Sequence, residues 1–96
     1  MTIYSQIQEL KNEIVKVAAL HGVISISIFG SVARNEDNNS SDIDFLVDFE
    51  EGRTLFDLIR LKQELELLLD RSVDIVTSNA IHHRIKEQII NEAIQL

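Results

Sequence analysis

Two aspartates two positions apart, Asp42 and Asp44, open the apolar run Ile43 to Phe49. On an extended strand residues i and i+2 point to the same face, so both carboxylates lie on one side. Like charges held that close repel and raise each other's pKa unless a cation lies between them. Mg²⁺ answers that need, with hard oxygen ligands drawn from one or two carboxylates and from phosphates. Upstream, Gly30-Ser31 ends another apolar run. Glycine lets the backbone approach a ligand without an intervening Cβ, and a tight turn feeding a helix start offers N–H groups to anions. Downstream, Asp74 is the lone carboxylate of Val73-Asp74-Ile75-Val76. The residue types point to a metal-plus-phosphate site, with Asp42, Asp44 and Asp74 around metal and Gly30 and Ser31 on phosphate. Such a carboxylate triad can share two metals, one activating an attacking oxygen and one holding the leaving group. Arg34 is a candidate for a phosphate contact or for an ion pair with Glu36 or Asp37.

Other chemistries fit less well. A calcium loop begun at Asp37 needs Gly at its sixth position and Glu at its twelfth, where the chain has Asp42 and Asp48. A P-loop needs Gly-Lys-Ser/Thr after Gly30, where Asn35-Glu36-Asp37 stand. No elbow motif supports Ser-His-Asp hydrolysis. His82 and His83 are adjacent on an expected helix, so their side chains diverge by about 100° and are read as surface residues.

The elements that must position these residues follow from periodicity. Ile3, Ile7, Leu10, Ile14 and Val17 form one stripe of an expected helix from Ile3 to Leu20, capped by Thr2 and stopped at His21-Gly22. Val23 to Phe29 alternates Ile24, Ile26 and Ile28 with Ser25, Ser27 and Phe29, a strand with one apolar face. Val32-Ala33-Arg34 begins a short helical turn, and Asn35 to Ser41 is a solvated loop. Ser41 to Phe49 reads as a second strand, with Asp42, Asp44, Leu46 and Asp48 opposite the apolar face. Thr54 and Asp57 resemble a capping box ahead of a helix from Leu55 to Leu69, with Arg60–Glu64 and Lys62–Glu66 as exposed pairs. Val73 to Val76 is a third strand. A last helix, capped by Ser78 or Asn79, carries Ile81, Ile85, Ile89 and Ala93, leaving Ile90 and Ile94 as core or partner surface.

Gly30 lies at the end of its strand and Asp42 at the start of the next, so antiparallel pairing of the first two strands brings them together. A helical connection implies parallel pairing of the second and third strands. The expected fold is a small mixed α/β (α+β) sheet of three or more strands backed by helices.

A chain of 96 residues is expected to form one domain, 1–96, with little room for a second one to hold an acceptor. The formal net charge of −7 disfavours direct binding to nucleic-acid phosphates. There are no cysteines, no apolar run of membrane-spanning length and no signal-peptide pattern, so a cytoplasmic home is expected.

Gly30-Ser31, Ala33-Arg34 and Ser41-Asp42-Ile43-Asp44 with its apolar tail, followed by Arg71 to Val76, together resemble the DNA-polymerase-β-like nucleotidyltransferase superfamily. The spacing is most similar to its minimal nucleotidyltransferase (MNT) branch, and the resemblance runs from the first helix to Leu96. It implies that Gly30 and Ser31 form the nucleotide-phosphate turn, that Asp42 and Asp44 bind metal and that Asp74 is the third carboxylate. It also implies transfer of AMP from ATP, with Mg²⁺, to a tyrosine hydroxyl of a partner HEPN-domain toxin, which the MNT antitoxin thereby neutralises. A binding module that occludes its partner, and transfer to a small molecule, are the alternatives; self-association stays open. One departure is Asn35, where many relatives have Gly; Asn tolerates left-handed backbone.

Overall fold

The computed structural model describes residues 2–36, 42–81 and 83–96, the side chain of His83 excepted. Expectations about Asp37 to Ser41 and about the paired histidines lie outside the described residues.

The stripe expected over Ile3–Leu20 is one buried face divided between two helices, α1 (Ile3–Glu9) and α2 (Lys11–Leu20), separated at Leu10. Ile3, Ile7 and Ile14 enter the core and Leu10 and Val17 pack partly buried against it, so the periodicity gave the buried face, to which Ala18, outside the expected stripe, also belongs. It carries no information on the continuity of the axis, which breaks between them. Thr2 caps α1 by accepting the Ser5 N–H at 3.0 Å, and α2 ends at His21 before Gly22, whose φ is +85°.

Strand β1 (Val23–Phe29) leads straight into a four-residue helical turn, α3 (Gly30–Ala33). Strand β2 (Ile43–Phe49) starts one residue after Asp42, and helix α4 (Leu55–Leu69) connects it to β3 (Val73–Thr77). The capping box is present: Thr54 N–H donates to Asp57 at 2.9 Å, and the Thr54 hydroxyl accepts from the first turn. Two acidic residues of α4 serve packing instead of the exposed pairs expected for them. Glu64 meets His21 at 3.0 Å, and Glu66 accepts the Val73 N–H at 3.0 Å. Gln6 donates to the Leu69 carbonyl at 3.0 Å, closing the end of α4 onto α1.

The sheet order is β3-β2-β1-β4. β1 and β2 are antiparallel and β2 and β3 parallel, as expected. Ile43, Phe45 and Val47 are fully buried, packed with Ile28, Leu61, Leu65 and Leu69 on the helical side.

The end of the chain differs from its reading. Ser78–Ala80 form a 3₁₀ turn, so neither Ser78 nor Asn79 caps the last helix, α5 (His83–Glu92). Ile85 and Ile90 are about half exposed, and Ile94 belongs to a two-residue edge strand, β4 (Ile94–Gln95), paired antiparallel with β1. Among the described residues no helix is long and apolar enough to cross a membrane.

The apolar face of β1 is also interrupted. The β1–β2 register shifts between Val23 and Ser25, and Ile24 is 72% exposed whereas Ile28 is 0%. A bulge changes which side the residues beyond it face. Ile28→Ala is therefore expected to cost about 2–5 kcal/mol in urea unfolding. Ile24→Ala should stay within about 0.5 kcal/mol of the parent.

Candidate active site

Three adjacent strands bring the sequence-predicted residues to one end of the sheet. Asp44 pairs with Phe29 across the antiparallel β1–β2 ladder and with Asp74 across the parallel β2–β3 ladder. Both carboxylates stand in register on neighbouring strands, so their side chains share a face. Asp42 precedes β2 at the same end and is exposed; Asp74 is exposed and Asp44 half-buried.

Gly30 follows Phe29 with φ +76°. A Cβ there would fall on Asp44 Oδ2 and lie 3.2 Å from Asp44 Cγ. Glycine is thus favoured twice, by its left-handed backbone and because the Asp44 carboxylate lies where a side chain would go. The α3 turn then coils tightly: Arg34 N–H donates to the Gly30 carbonyl at 3.1 Å and Glu36 N–H to the Ser31 carbonyl at 2.8 Å. Asn35 has φ +59°, the left-handed conformation that the Gly-to-Asn departure must accommodate.

The carboxyl of Asp44 is held above its ordinary value. Burial is the main cause, followed by the negative charges of Asp74 and Asp42, with a smaller contribution from Glu92 and partial relief from Arg34. This set fits a divalent cation, because a bound positive charge would remove the repulsion that the fold builds in. Among the described residues no three acidic or histidine side chains form a ready-made cage.

Asp48, on the same strand and face, is different in kind. Ser25 donates to it at 2.9 Å and the Ser78 hydroxyl also bonds to it, so its charge is satisfied by hydroxyls at the far end of the sheet.

The sequence reading missed Glu92. Its carboxylate accepts the Gly30 N–H at 3.1 Å and both Nη1 contacts of Arg34, at 3.0 and 3.1 Å. Arg34 also pairs with Glu36 at 3.1 Å, so the ion pair foreseen for it exists with an additional partner. The register of β4 explains the placement: Ser27 pairs with Gln95 and Ile28 with Ile94, which carries Glu92 across from Gly30. The apolar-polar-apolar ending Ile94-Gln95-Leu96 is the trace of that strand in the sequence, too short for periodicity to separate from a helix end.

With this geometry in place, comparison with known proteins decides the family. The nucleotidyltransferase domain family matches residues 7–96. The chain belongs to that family. A Methanocaldococcus jannaschii protein assigned as a protein adenylyltransferase is 51% identical over 90 residues, covering 94% of this chain and 97% of that protein. A solved structure assigned as a minimal nucleotidyltransferase superposes with a TM-score of 0.90 at 44% identity, covering 100% of this chain and 97% of the other. A toxin–antitoxin structure with AMP-PNP superposes with a TM-score of 0.75 at 26% identity, covering 88% of this chain and 69% of the other. The minimal nucleotidyltransferase resemblance read from the sequence is thereby established, and with it the mixed-sheet fold.

Two predictions follow from the acidic row. Asp44 binds its proton more tightly in the folded state than when unfolded, so its ionised form weakens the fold at neutral pH. Asp44→Asn is expected to raise Tm at pH 7 by about 2–5 °C. The gain should shrink as pH falls through the raised value toward the ordinary 3.8, measured by thermal melts across that range. Gly30→Ala should instead destabilise by about 1–3 kcal/mol and displace the Asp44 carboxylate, read by denaturant unfolding and by weakened metal-nucleotide binding.

Proposed function

We propose that this minimal nucleotidyltransferase is an antitoxin enzyme that transfers AMP from ATP to a hydroxyl, most simply a tyrosine hydroxyl, of a partner HEPN toxin in the cytoplasm. The observation that carries the reading is the in-register pair Asp44–Asp74 set against Gly30, a carboxylate set facing a turn with no side chain. The protein-adenylyltransferase assignment of its 51%-identical relative supports a protein acceptor. The toxin–antitoxin neighbour with AMP-PNP supports both a nucleotide and a toxin partner.

In this mechanism Asp42 and Asp44 would hold Mg²⁺ with Asp74 beside them, and the ion would neutralise triphosphate charge and make the α-phosphorus more electrophilic. Gly30 leaves room for the Asp44 carboxylate against the turn, whose N–H groups and Ser31 hydroxyl would donate to the phosphates. Arg34 supplies the fixed positive charge at that end. Asp74, exposed at the edge, orients the acceptor hydroxyl and takes its proton. The acceptor oxygen forms a bond to the α-phosphorus, the bond from that phosphorus to the bridging oxygen breaks, and pyrophosphate carries away the electron pair. The products are the AMP ester of the acceptor and pyrophosphate.

The test is incubation with α-labelled ATP, Mg²⁺ and the product of the adjacent reading frame, expected to be a HEPN toxin. Label should move to the toxin, and Asp42→Asn and Asp44→Asn should each reduce transfer by at least about 100-fold, a loss of roughly 2.7 kcal/mol. Unlabelled toxin, or equal labelling by the variants, contradicts the enzyme. Full neutralisation by those variants without labelling would assign the protein to simple occlusion of its partner.

A further inference from the structure

Glu92 has no part in the proposed transfer, yet it occupies the donors that the phosphates need. Its carboxylate takes the N–H of Gly30 and the Nη1 of Arg34 together, with contacts of 3.0–3.1 Å. The side chain is well enclosed, 19% exposed against 44% for Arg34. It is also anchored by the backbone. Ala93 N–H donates to the Ile89 carbonyl at 2.9 Å, Ile94 and Gln95 pair with Ile28 and Ser27, and Leu96 N–H donates to the Ile26 carbonyl at 3.0 Å. The end of α5 is therefore pinned on β1 two residues from Gly30, and the carboxylate is delivered there by the sheet register.

Apart from this contact, the position disfavours an anion. Glu92 adds to the negative charge that Asp74 and Asp42 already place on Asp44. A carboxylate is held there by a backbone N–H and a guanidinium, the same pair that recognises a phosphate oxygen.

We infer that Glu92 is an internal phosphate mimic, a specificity-determining residue that a metal-bound polyphosphate must displace from Gly30 and Arg34 before the nucleotide seats. The inference rests on the nucleotidyltransferase reading and deepens it. A ligand that brings its own anion to both donors, with a cation to relieve the carboxylates, evicts Glu92. A nucleoside without phosphates does not. Displacement frees Arg34 for the incoming phosphate and leaves Glu92 beside the site, where its charge opposes loose anions. Such an internal competitor lowers apparent affinity by the fraction of molecules in which the donors are free. Partly exposed ion pairs of this kind hold their partners only modestly, so the reduction is about three- to tenfold.

The experiment measures binding of Mg²⁺-AMP-PNP and of adenosine to the wild-type chain, Glu92→Gln and Glu92→Asp by calorimetry, with circular dichroism to check folding. Glu92→Gln should bind Mg²⁺-AMP-PNP about three- to tenfold more tightly, with adenosine unchanged. Glu92→Asp keeps the charge on a side chain one methylene shorter, so it reaches both donors poorly and should also bind the nucleotide more tightly. A residue that merely props up the turn has the opposite signature, weaker binding in both variants. Equal or weaker binding by folded Glu92→Gln, or wild-type affinity in Glu92→Asp, overturns the inference while wild-type binding leaves the nucleotidyltransferase reading standing. If one variant fails to fold, the other decides by the same criterion. Absence of Mg²⁺-AMP-PNP binding by the wild-type chain and both folded variants overturns the nucleotidyltransferase reading and this inference together.

Discussion

Everything at the working end of this protein depends on one close approach, the Asp44 carboxylate in the space that Gly30 leaves empty. A side chain at Gly30 would collide with it, and the left-handed backbone there already disfavours any L residue. The contact is possible only because β1 ends where β2 begins, which antiparallel pairing secures. It becomes chemically unusual because α4 returns the chain so that Asp74 stands in parallel register with Asp44. A local rule, glycine for space, and a global one, strand order, thus converge on one carboxylate.

The contrast with Asp48 shows what sort of carboxylate that is. Asp48 shares the strand and the face of Asp44 but is served by the hydroxyls of Ser25 and Ser78. Asp44 has burial and two neighbouring aspartates, and its proton affinity rises accordingly. Beneath both runs the same apolar layer, Ile43, Phe45 and Val47, fully buried against the helices. The core therefore supplies a rigid platform, and the end of the sheet holds charge that the platform alone leaves uncompensated. Retaining repulsion of that kind is characteristic of a site that meets a cation with its substrate.

Much of this was legible from the residues. The D-x-D spacing, the glycine at a strand end and the lone Asp74 specify a face and an edge, because strand periodicity has only two sides. The capping box at Thr54 and the cap at Thr2 were equally readable, since each is a local contact between near neighbours. What failed was what local pattern does not encode. The break at Leu10 leaves the buried stripe unchanged, the β1 bulge turns Ile24 outward without altering its alternation, and β4 has only two residues. Glu64 and Glu66 had helix neighbours of opposite charge in sequence but found His21 and the Val73 N–H in space. Glu92 was invisible for the same reason: its position follows from the pairing of Ile94 with Ile28, a contact between distant parts of the chain.

The central claim, that the end of the sheet carrying Gly30, Asp44 and Asp74 receives a metal-bound nucleotide, is tested most directly by paramagnetic NMR. Mn²⁺ would be titrated with AMP-PNP into ¹⁵N-labelled protein, and amide broadening mapped onto the chain. The account predicts that at substoichiometric Mn²⁺ the broadening is strongest at Gly30, Ser31, Asp42, Asp44 and Asp74 and falls off with distance, so that the amides around Asp48 and Ser78 broaden later in the titration. Broadening centred elsewhere, or none at nucleotide saturation, would contradict it.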